Sequence, residues 1–458
     1  MNTDTIAAVA TAVSNAGISI IRISGDDSFH IIDKIYRSKK GDKKLSKVDS
    51  HTVHYGYIMD GDIVIDEVMV VVMRAPNTYT KEDVVEIDCH GGIVVTKHVL
   101  ETVLKYGART AHPGEFTKRA FLNGRIDLSR AEAVSDIINA KSEMAVKNSL
   151  NQLNGNIFKQ VNKVRESIIL DIAFIEAALD DPEHISLDDF RNTLYENVKV
   201  NLEIIDKLIQ SSAGGRMLRE GIKTVILGKP NAGKSSLMNV LTGIERAIVT
   251  DIPGTTRDIL EESIQIGSIS LNIIDTAGIR NTSDVVEQIG VNRAKKIAQE
   301  ADLIIYVVDS SVPLDENDYD IIDIIKDKNA VVLLNKSDLL PVVTNAEVNS
   351  ITEKEVFSIS TKENSGIEQL EEWIVSKFFG GNISFNEEVF ISNVRQREAL
   401  MDCRKSLTMV KQSIEDDMPE DFFSIDMMSA YSLLGSLIGE EVDEDLINTI
   451  FKEFCMGK

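Results

Sequence analysis

Residues Gly228 to Ser236 read GKPNAGKSS. A glycine, four intervening residues and then Gly-Lys-Ser is the spacing of a phosphate-binding loop. The glycines let backbone N–H groups turn inward around a polyphosphate. Asn231, Ala232, Gly233, Lys234, Ser235 and Ser236 would line it. Lys234 brings a point charge to the β- and γ-phosphates, and the following helix adds the partial positive charge of its N-terminus. Ser235 offers a hydroxyl to Mg²⁺.

Four further polar clusters follow in the order such a loop requires. Gly254-Thr255-Thr256-Arg257-Asp258 lies where a Mg²⁺-binding threonine is expected. In Asp275-Thr276-Ala277-Gly278 the carboxylate can reach Mg²⁺ through water and the Gly278 N–H can meet a γ-phosphate. In Asn335-Lys336-Ser337-Asp338 the carboxylate can accept two N–H bonds from guanine N1 and N2, a pair that adenine cannot supply. Ser360-Thr361-Lys362 could close over the base. Together they read as a GTPase, with ATP disfavoured by Asp338. One expected group is missing. Many GTPases place a water-orienting Gln just after the DxxG element, and here that position is Ile279. Arg257 is a candidate arginine finger or a surface ion-pair partner. Glu287 could reach the water if its segment moves, or is a solvated helix residue.

These clusters need strand ends to hold them. Apolar runs at Thr224–Leu227, Leu271–Ile274, Leu303–Val308, Val331–Leu334 and Val356–Ile359 alternate with helical patterns, which predicts a doubly wound, mostly parallel sheet. Residues 1–118 read as mixed α/β: a strand over Ile18–Ile23 breaking at Ser24-Gly25, a helix over Ser28–Tyr36, an apolar stretch at Ile63–Met73, a strand over Val84–Asp88, and a helix over Val94–Tyr106 stopping at Gly107. Alternation would turn Arg22 and Glu86 outward. His90, beside two glycines, is a turn residue or a ligand contact. From about Leu128 the pattern is helical, opening on a capping box at Ser129–Glu132 and running to about Ile209. Glycine-rich joints are expected at 211–215 and 380–382, with helices resuming over 395–415 and 429–454. The simplest organisation is an α/β multidomain chain. An α/β domain (1–118) precedes a discontinuous all-α domain (119–215 and 380–458), into which the P-loop GTPase domain (216–379) is inserted. Two unrelated helical segments are the alternative.

The chain's 458 residues are too many for one core. A net charge of −24 repels phosphate backbones, so a nucleic acid would need a local patch or a partner to supply attraction. The start has an early Asp and no basic segment, which argues against a signal peptide, and no apolar run approaches membrane-spanning length. Cys89, Cys403 and Cys455 are far apart, which fits a reducing cytoplasm rather than a disulfide or zinc framework.

The stretches IIRISG, APNTYTKEDVVEIDCHGG, HPGEFTKRAFLNGRIDL, GKPNAGKSS, IVTDIPGTTRD, DTAGIR with VVEQIG, NKSD and the closing FCMGK resemble one family across nearly the whole length: the bacterial tRNA modification GTPases (MnmE, also called TrmE). The resemblance implies addition of a carboxymethylaminomethyl or aminomethyl-type group to C5 of the tRNA wobble uridine, position 34. It implies a flavin-dependent partner of the MnmG (GidA) type, with tRNA bound mainly through that partner. It also implies a homodimer formed through a folate-binding N-terminal domain, and GTPase domains that meet across the dimer when K⁺ is bound. Carried onto this sequence, Asn231 would ligate K⁺ by its side chain, and Thr250, Ile252 and Thr255 by backbone carbonyls. Ser235 and Thr256 would hold Mg²⁺, and Glu287 would orient the water, which answers the missing Gln. Arg22, Glu86, Arg125 and Lys458 would contact a 5-formyl- or 5,10-methylene-tetrahydrofolate. Cys455 matches the family's C-terminal cysteine and reads most simply as a buried structural thiol. Ser360-Thr361-Lys362 is a loose form of the usual SAK element, and position 125 carries Arg where Lys is equally expected. A ribosome-assembly or RNA-checkpoint GTPase is the competing reading; it predicts a basic RNA-binding module, which the sequence lacks. A regulatory switch without one-carbon chemistry is a third.

Overall fold

The alternating run Ile18–Ser24 and the Val-rich run Ile63–Met73 are both strands. They belong to a computed structural model that describes residues 4–39, 41, 43–181, 184, 190–244, 262–274, 298–379, 390–419, 421–440, 442–452, 454–455 and 457. The chain divides into two units, one of residues 1–135, 157–165 and 434–458, the other of 136–156 and 166–433.

The first unit opens with β1 (Ile6–Val9), β2 (Ile18–Ser24), α1 (Ser28–Ile35), β3 (Tyr36–Ser38), β4 (Thr52–Asp60), β5 (Ile63–Met73), β6 (Val84–His90), α2 (Ile93–Lys105) and β7 (Arg109–Thr110). The strands form one sheet in the order β3-β4-β5-β6-β2-β1-β7. Period-two alternation sends Ile21, Ile23, Val68, Val70, Val85 and Ile87 into a core shared with Ile31, Ile32, Val99 and Val103 of α1 and α2. Arg22 stands directly opposite Glu86 across the β2–β6 ladder. Neither is solvated as the outward reading expects: their side chains are 17% and 19% exposed and ion-paired. His90 ends β6, its Nδ1 2.7 Å from Asp66 Oδ1.

Two helices follow, α3 (Glu115–Leu122) and α4 (Leu128–Asn139). The expected capping box at Ser129 is displaced. Ser129 lies inside α4, and Asp127 caps it by accepting from the Arg130 N–H at 3.1 Å. A carboxylate at the N-terminus also meets the helix dipole, so the aspartate outcompetes the serine.

The rest of the chain runs through α5 (Glu143–Leu153), α6 (Asn156–Asp180), α7 (Phe190–Glu220), β8 (Ile222–Leu227), α8 (Lys234–Ile244), β9 (Glu262–Ile266), β10 (Ile269–Ile273), β11 (Leu303–Asp309), α9 (Glu316–Ile325), β12 (Ala330–Asn335), α10 (Asn345–Ile351), β13 (Glu355–Ser358), α11 (Ile367–Phe379), α12 (Val394–Glu415), α13 (Asp421–Ile438) and α14 (Glu444–Lys452). Phe451 and Phe454, in and after α14, complete the first unit by packing with Leu128 and Ala131.

The second sheet has the order β13-β12-β11-β8-β10-β9. All its ladders are parallel except β9 with β10. β11 and β12 are almost wholly buried, as strands covered on both faces must be. The expected joint at 211–215 is instead the interior of the 31-residue helix α7. Gly214 and Gly215 supply close approach there, not freedom. A Cβ on Gly215 would sit 2.1 Å from the Ile391 carbonyl oxygen. The expected joint at 380–382 lies outside the described residues. Cys89 and Cys403 are buried, but Cys455 is exposed, against the buried reading of that thiol. Among the described residues no helix is long and apolar enough to cross a membrane.

Candidate functional site

β8 ends at Leu227 and delivers the phosphate loop. Gly228 has φ 150°, and a Cβ there would meet the Val307 carbonyl oxygen at 2.4 Å. Gly233 has φ 100°, and its Cβ would lie 2.0 Å from Asn335 Nδ2. No side chain fits either place, so the glycine spacing is a packing requirement. Asn231, between them, takes the left-handed conformation at φ 63°, which asparagine tolerates better than most residues. α8 starts at Lys234, with Ser235 and Ser236 in its first turn. Lys234 Nζ donates to the carbonyls of Gly228 and Lys229, both at 2.7 Å. Burial holds its pKa below the ordinary lysine value. The ammonium is thus kept at the mouth of the loop by two carbonyls that an incoming phosphate would replace.

A second loop begins where β12 ends at Asn335. Asn335 is fully buried. Its Nδ2 donates to the Ala232 carbonyl at 2.9 Å, and its Oδ1 accepts from the Thr361 N–H at 3.1 Å. One amide therefore ties the phosphate loop to the 360–362 loop. Lys336 stands at φ 65° and its ammonium pairs with Asp309 at the end of β11. Asp338 Oδ1 accepts from Ser360 Oγ at 2.7 Å, and Lys362 Nζ lies 3.7 Å from Oδ2. The Ser360 hydroxyl, then Lys362, hold this carboxyl below the usual carboxylate range. An ionised carboxylate offers hydrogen-bond acceptors only. The structure brings together Asn231, Ala232, Gly233, Lys234, Asn335, Lys336, Asp338 and Ser360 around one loop cluster. Thr250, Ile252, Thr255, Thr256, Arg257, Asp275, Thr276, Ala277, Gly278, Ile279, Glu287 and Lys458 lie outside the described residues.

A second cluster occupies the first unit. Arg22 Nε donates to Glu86 Oε1 at 2.7 Å, and its Nη1 reaches the Gly457 carbonyl at 3.3 Å. The Arg22 guanidinium lies 5.8 Å from the Tyr79 ring centre and 5.6 Å from that of Phe116. Arg125 lies 4.7 Å from the Tyr79 ring. Two cations thus approach one aromatic ring, beside a carboxylate. Tyr79 is held by Thr117, whose Oγ1 is 2.9 Å from its hydroxyl. Its neighbour Thr80 bonds Ser24 at 2.7 Å, and Glu82 receives both Ser24 and buried Arg119. Two residues beyond Glu86, burial and then the Glu86 charge push the Asp88 carboxyl above its ordinary range. The family resemblance names Arg22, Glu86 and Arg125 for this cluster and does not name Tyr79. A tyrosine in a polar loop carries no periodic signal, and only its closeness to two arginines marks it.

Two family profiles match the chain: "MnmE helical domain" over residues 128–455 and "GTP-binding protein TrmE N-terminus" over 5–125. The chain is 61% identical over 458 residues to the tRNA modification GTPase MnmE of Lachnoclostridium phytofermentans, covering all of both chains. It is similar to proteins of the same name from Thermoanaerobacter pseudethanolicus (49% identity, 99% of each chain) and Bacillus subtilis (44%, 99% of this chain and 100% of the relative).

Proposed function

The chain belongs to the MnmE family of tRNA modification GTPases, and from that membership we propose how its parts divide the work. It is a GTPase that serves tRNA modification. In our reading, hydrolysis drives installation of a carboxymethylaminomethyl or aminomethyl-type group on C5 of the wobble uridine, together with a flavin-dependent partner. Residues 1–118 bind a tetrahydrofolate derivative and form a homodimer. Residues 216–379 bind GTP, and 119–215 with 380–458 form the helical domain. The setting is the cytoplasm.

Within the GTP site, Lys234 exchanges its two carbonyl partners for phosphate oxygens, and Asp338 selects guanine. Bound Mg²⁺ and K⁺ would neutralise charge developing on the phosphates. Ser235 and Thr256 would hold the first, and Asn231, Thr250, Ile252 and Thr255 the second. The oxygen-rich donors at Asn231 and Ser235 suit such hard cations. Glu287 would orient the attacking water. In the first unit, Arg22, Glu86, Arg125 and Lys458 would hold a folate, whose chemistry is one-carbon transfer. Two guanidiniums near the Tyr79 ring suit a ligand with an acidic tail.

The observation that carries this reading is that second cluster: Arg22, Tyr79, Glu86 and Arg125 on the same chain as a guanine-nucleotide loop. A pure switch has no use for it. The test is mass spectrometry of nucleosides from bulk tRNA, with and without this gene in its native cell. Loss of 5-aminomethyl-type uridines supports the reading. An unchanged profile sinks it and turns attention to ribosome assembly.

A further inference from the structure

Lys229 is the residue after the first glycine of the phosphate loop. Its backbone carbonyl is one of the two that hold Lys234. Its side chain runs the other way. Nζ lies 2.6 Å from Asp318 Oδ2 and 2.9 Å from Asp315 Oδ2, both at the start of α9. Asp318 is 1% exposed. Its Oδ1 accepts from the hydroxyl of fully buried Tyr306 on β11 at 2.6 Å, and its Oδ2 also accepts from the Asp315 N–H at 2.9 Å. Sequence reasoning misses this network, because an acidic helix start reads as an ordinary N-cap.

We propose that Lys229 and the buried carboxylate of Asp318 form a positioning clamp that fixes the phosphate loop to β11 and α9 and slows nucleotide escape. A buried carboxylate left without its cation is strongly unfavourable, so the pair holds Lys229 in one place. Two carboxylates already neutralise Lys229, so it is not a phosphate-binding charge. Its contribution is to the backbone it is attached to. When Lys234 leaves the Gly228 and Lys229 carbonyls for phosphate oxygens, the loop loses two of its own hydrogen bonds. The clamp is untouched by that exchange and keeps the Lys229 carbonyl and the N–H groups beside it in place.

The inference rests on nucleotide binding at this loop. A wild-type chain that failed to bind methylanthraniloyl-GDP would remove that reading itself, not merely the clamp. The experiment is stopped-flow dissociation of methylanthraniloyl-GDP and of a methylanthraniloyl-labelled non-hydrolysable GTP analogue from the full chain. The variants are Lys229→Met, Asp318→Asn, the double variant and Lys229→Arg. Each of the first two is expected to speed dissociation about tenfold, equally for both nucleotides. The double variant should be no faster than the faster single, and Lys229→Arg should stay near wild type. Asp318→Asn keeping its full effect in the Lys229→Met background would overturn the clamp, since Asp318 would then act through Tyr306 alone. A selective effect on the triphosphate analogue would overturn it too, making Lys229 a γ-phosphate ligand. Should Asp318→Asn not fold, the lysine variants decide: Met fast and Arg slow supports the clamp, and Met at the wild-type rate ends it.

Discussion

Asp338 has one hydroxyl and one ammonium to hold it and two acceptor sites to offer. Asp338→Asn turns part of that acceptor face into a donor facing guanine N2. The loss of two charge-assisted bonds is worth about 3 kcal/mol or more, roughly a hundredfold in affinity. Competition binding should show GTP falling by that factor while xanthosine triphosphate gains; unaltered selectivity would misassign the base site. A second carboxylate makes a prediction of pH. Burial pushes Asp171 up to about 6 from its ordinary 3.8, with Asn197 as its hydrogen-bond donor at 2.8 Å. The folded pKa is above the unfolded one, so the ionised group costs stability fully above pH 6. That cost fades as the pH falls through 6 towards 4. Asp171→Asn should therefore stabilise the chain by up to about 3 kcal/mol at pH 7.5 and by well under about 1 kcal/mol at pH 4. Melting curves at both pH values check it, and an equal gain at both would point to packing instead.

Elements were legible where a pattern repeats. The strand at Ile18–Ser24 and the sheet built on Thr224–Leu227 follow from their apolar residues. β9 was not legible, since Glu262–Ile266 reads ESIQI and gains its place only by pairing with β10. Gly214 and Gly215 misled for a physical reason: glycine serves both loose joints and tight crossings, and only the neighbour decides. Gly215→Ala distinguishes the two. Helix propensity alone would favour alanine by about 1 kcal/mol. The Ile391 carbonyl at 2.1 Å from the new Cβ should turn that into a net loss of about 1–3 kcal/mol, read as a lower melting temperature. The segment carrying Ile391 is gripped from α5. Asn148 Oδ1 accepts the Phe390 N–H at 3.0 Å, and Gln152 Nε2 donates to the Phe390 carbonyl at 2.7 Å. Asn148→Ala should expose that amide to much faster hydrogen exchange while α5 itself stays protected.

On the scale of the whole molecule, the acidic surplus sets the terms on which the chain meets tRNA. A net charge of −24 gives no general attraction for a phosphate backbone. In the first unit, residues far apart in the chain share one core. Lys118 Nζ donates to Asn448 Oδ1 at 2.6 Å, Gly114 N–H donates to the Cys455 carbonyl at 3.3 Å, and Phe451 and Phe454 pack on Leu128. Phe451→Ala should cost about 3–5 kcal/mol and loosen the N-terminal unit, seen as lost protection in α3 and α4.

That arrangement has a consequence for synthesis. A ribosome makes residues 1–135 first and 434–458 last, so the unit they share stays incomplete while the intervening chain is translated. Leu128 and Ala131 wait for Phe451 and Phe454 throughout that time. A message cut short before residue 434 yields a product that can carry the guanine-nucleotide loop but not a finished first unit. Arg22 in such a product lacks the Gly457 carbonyl it holds in the complete chain.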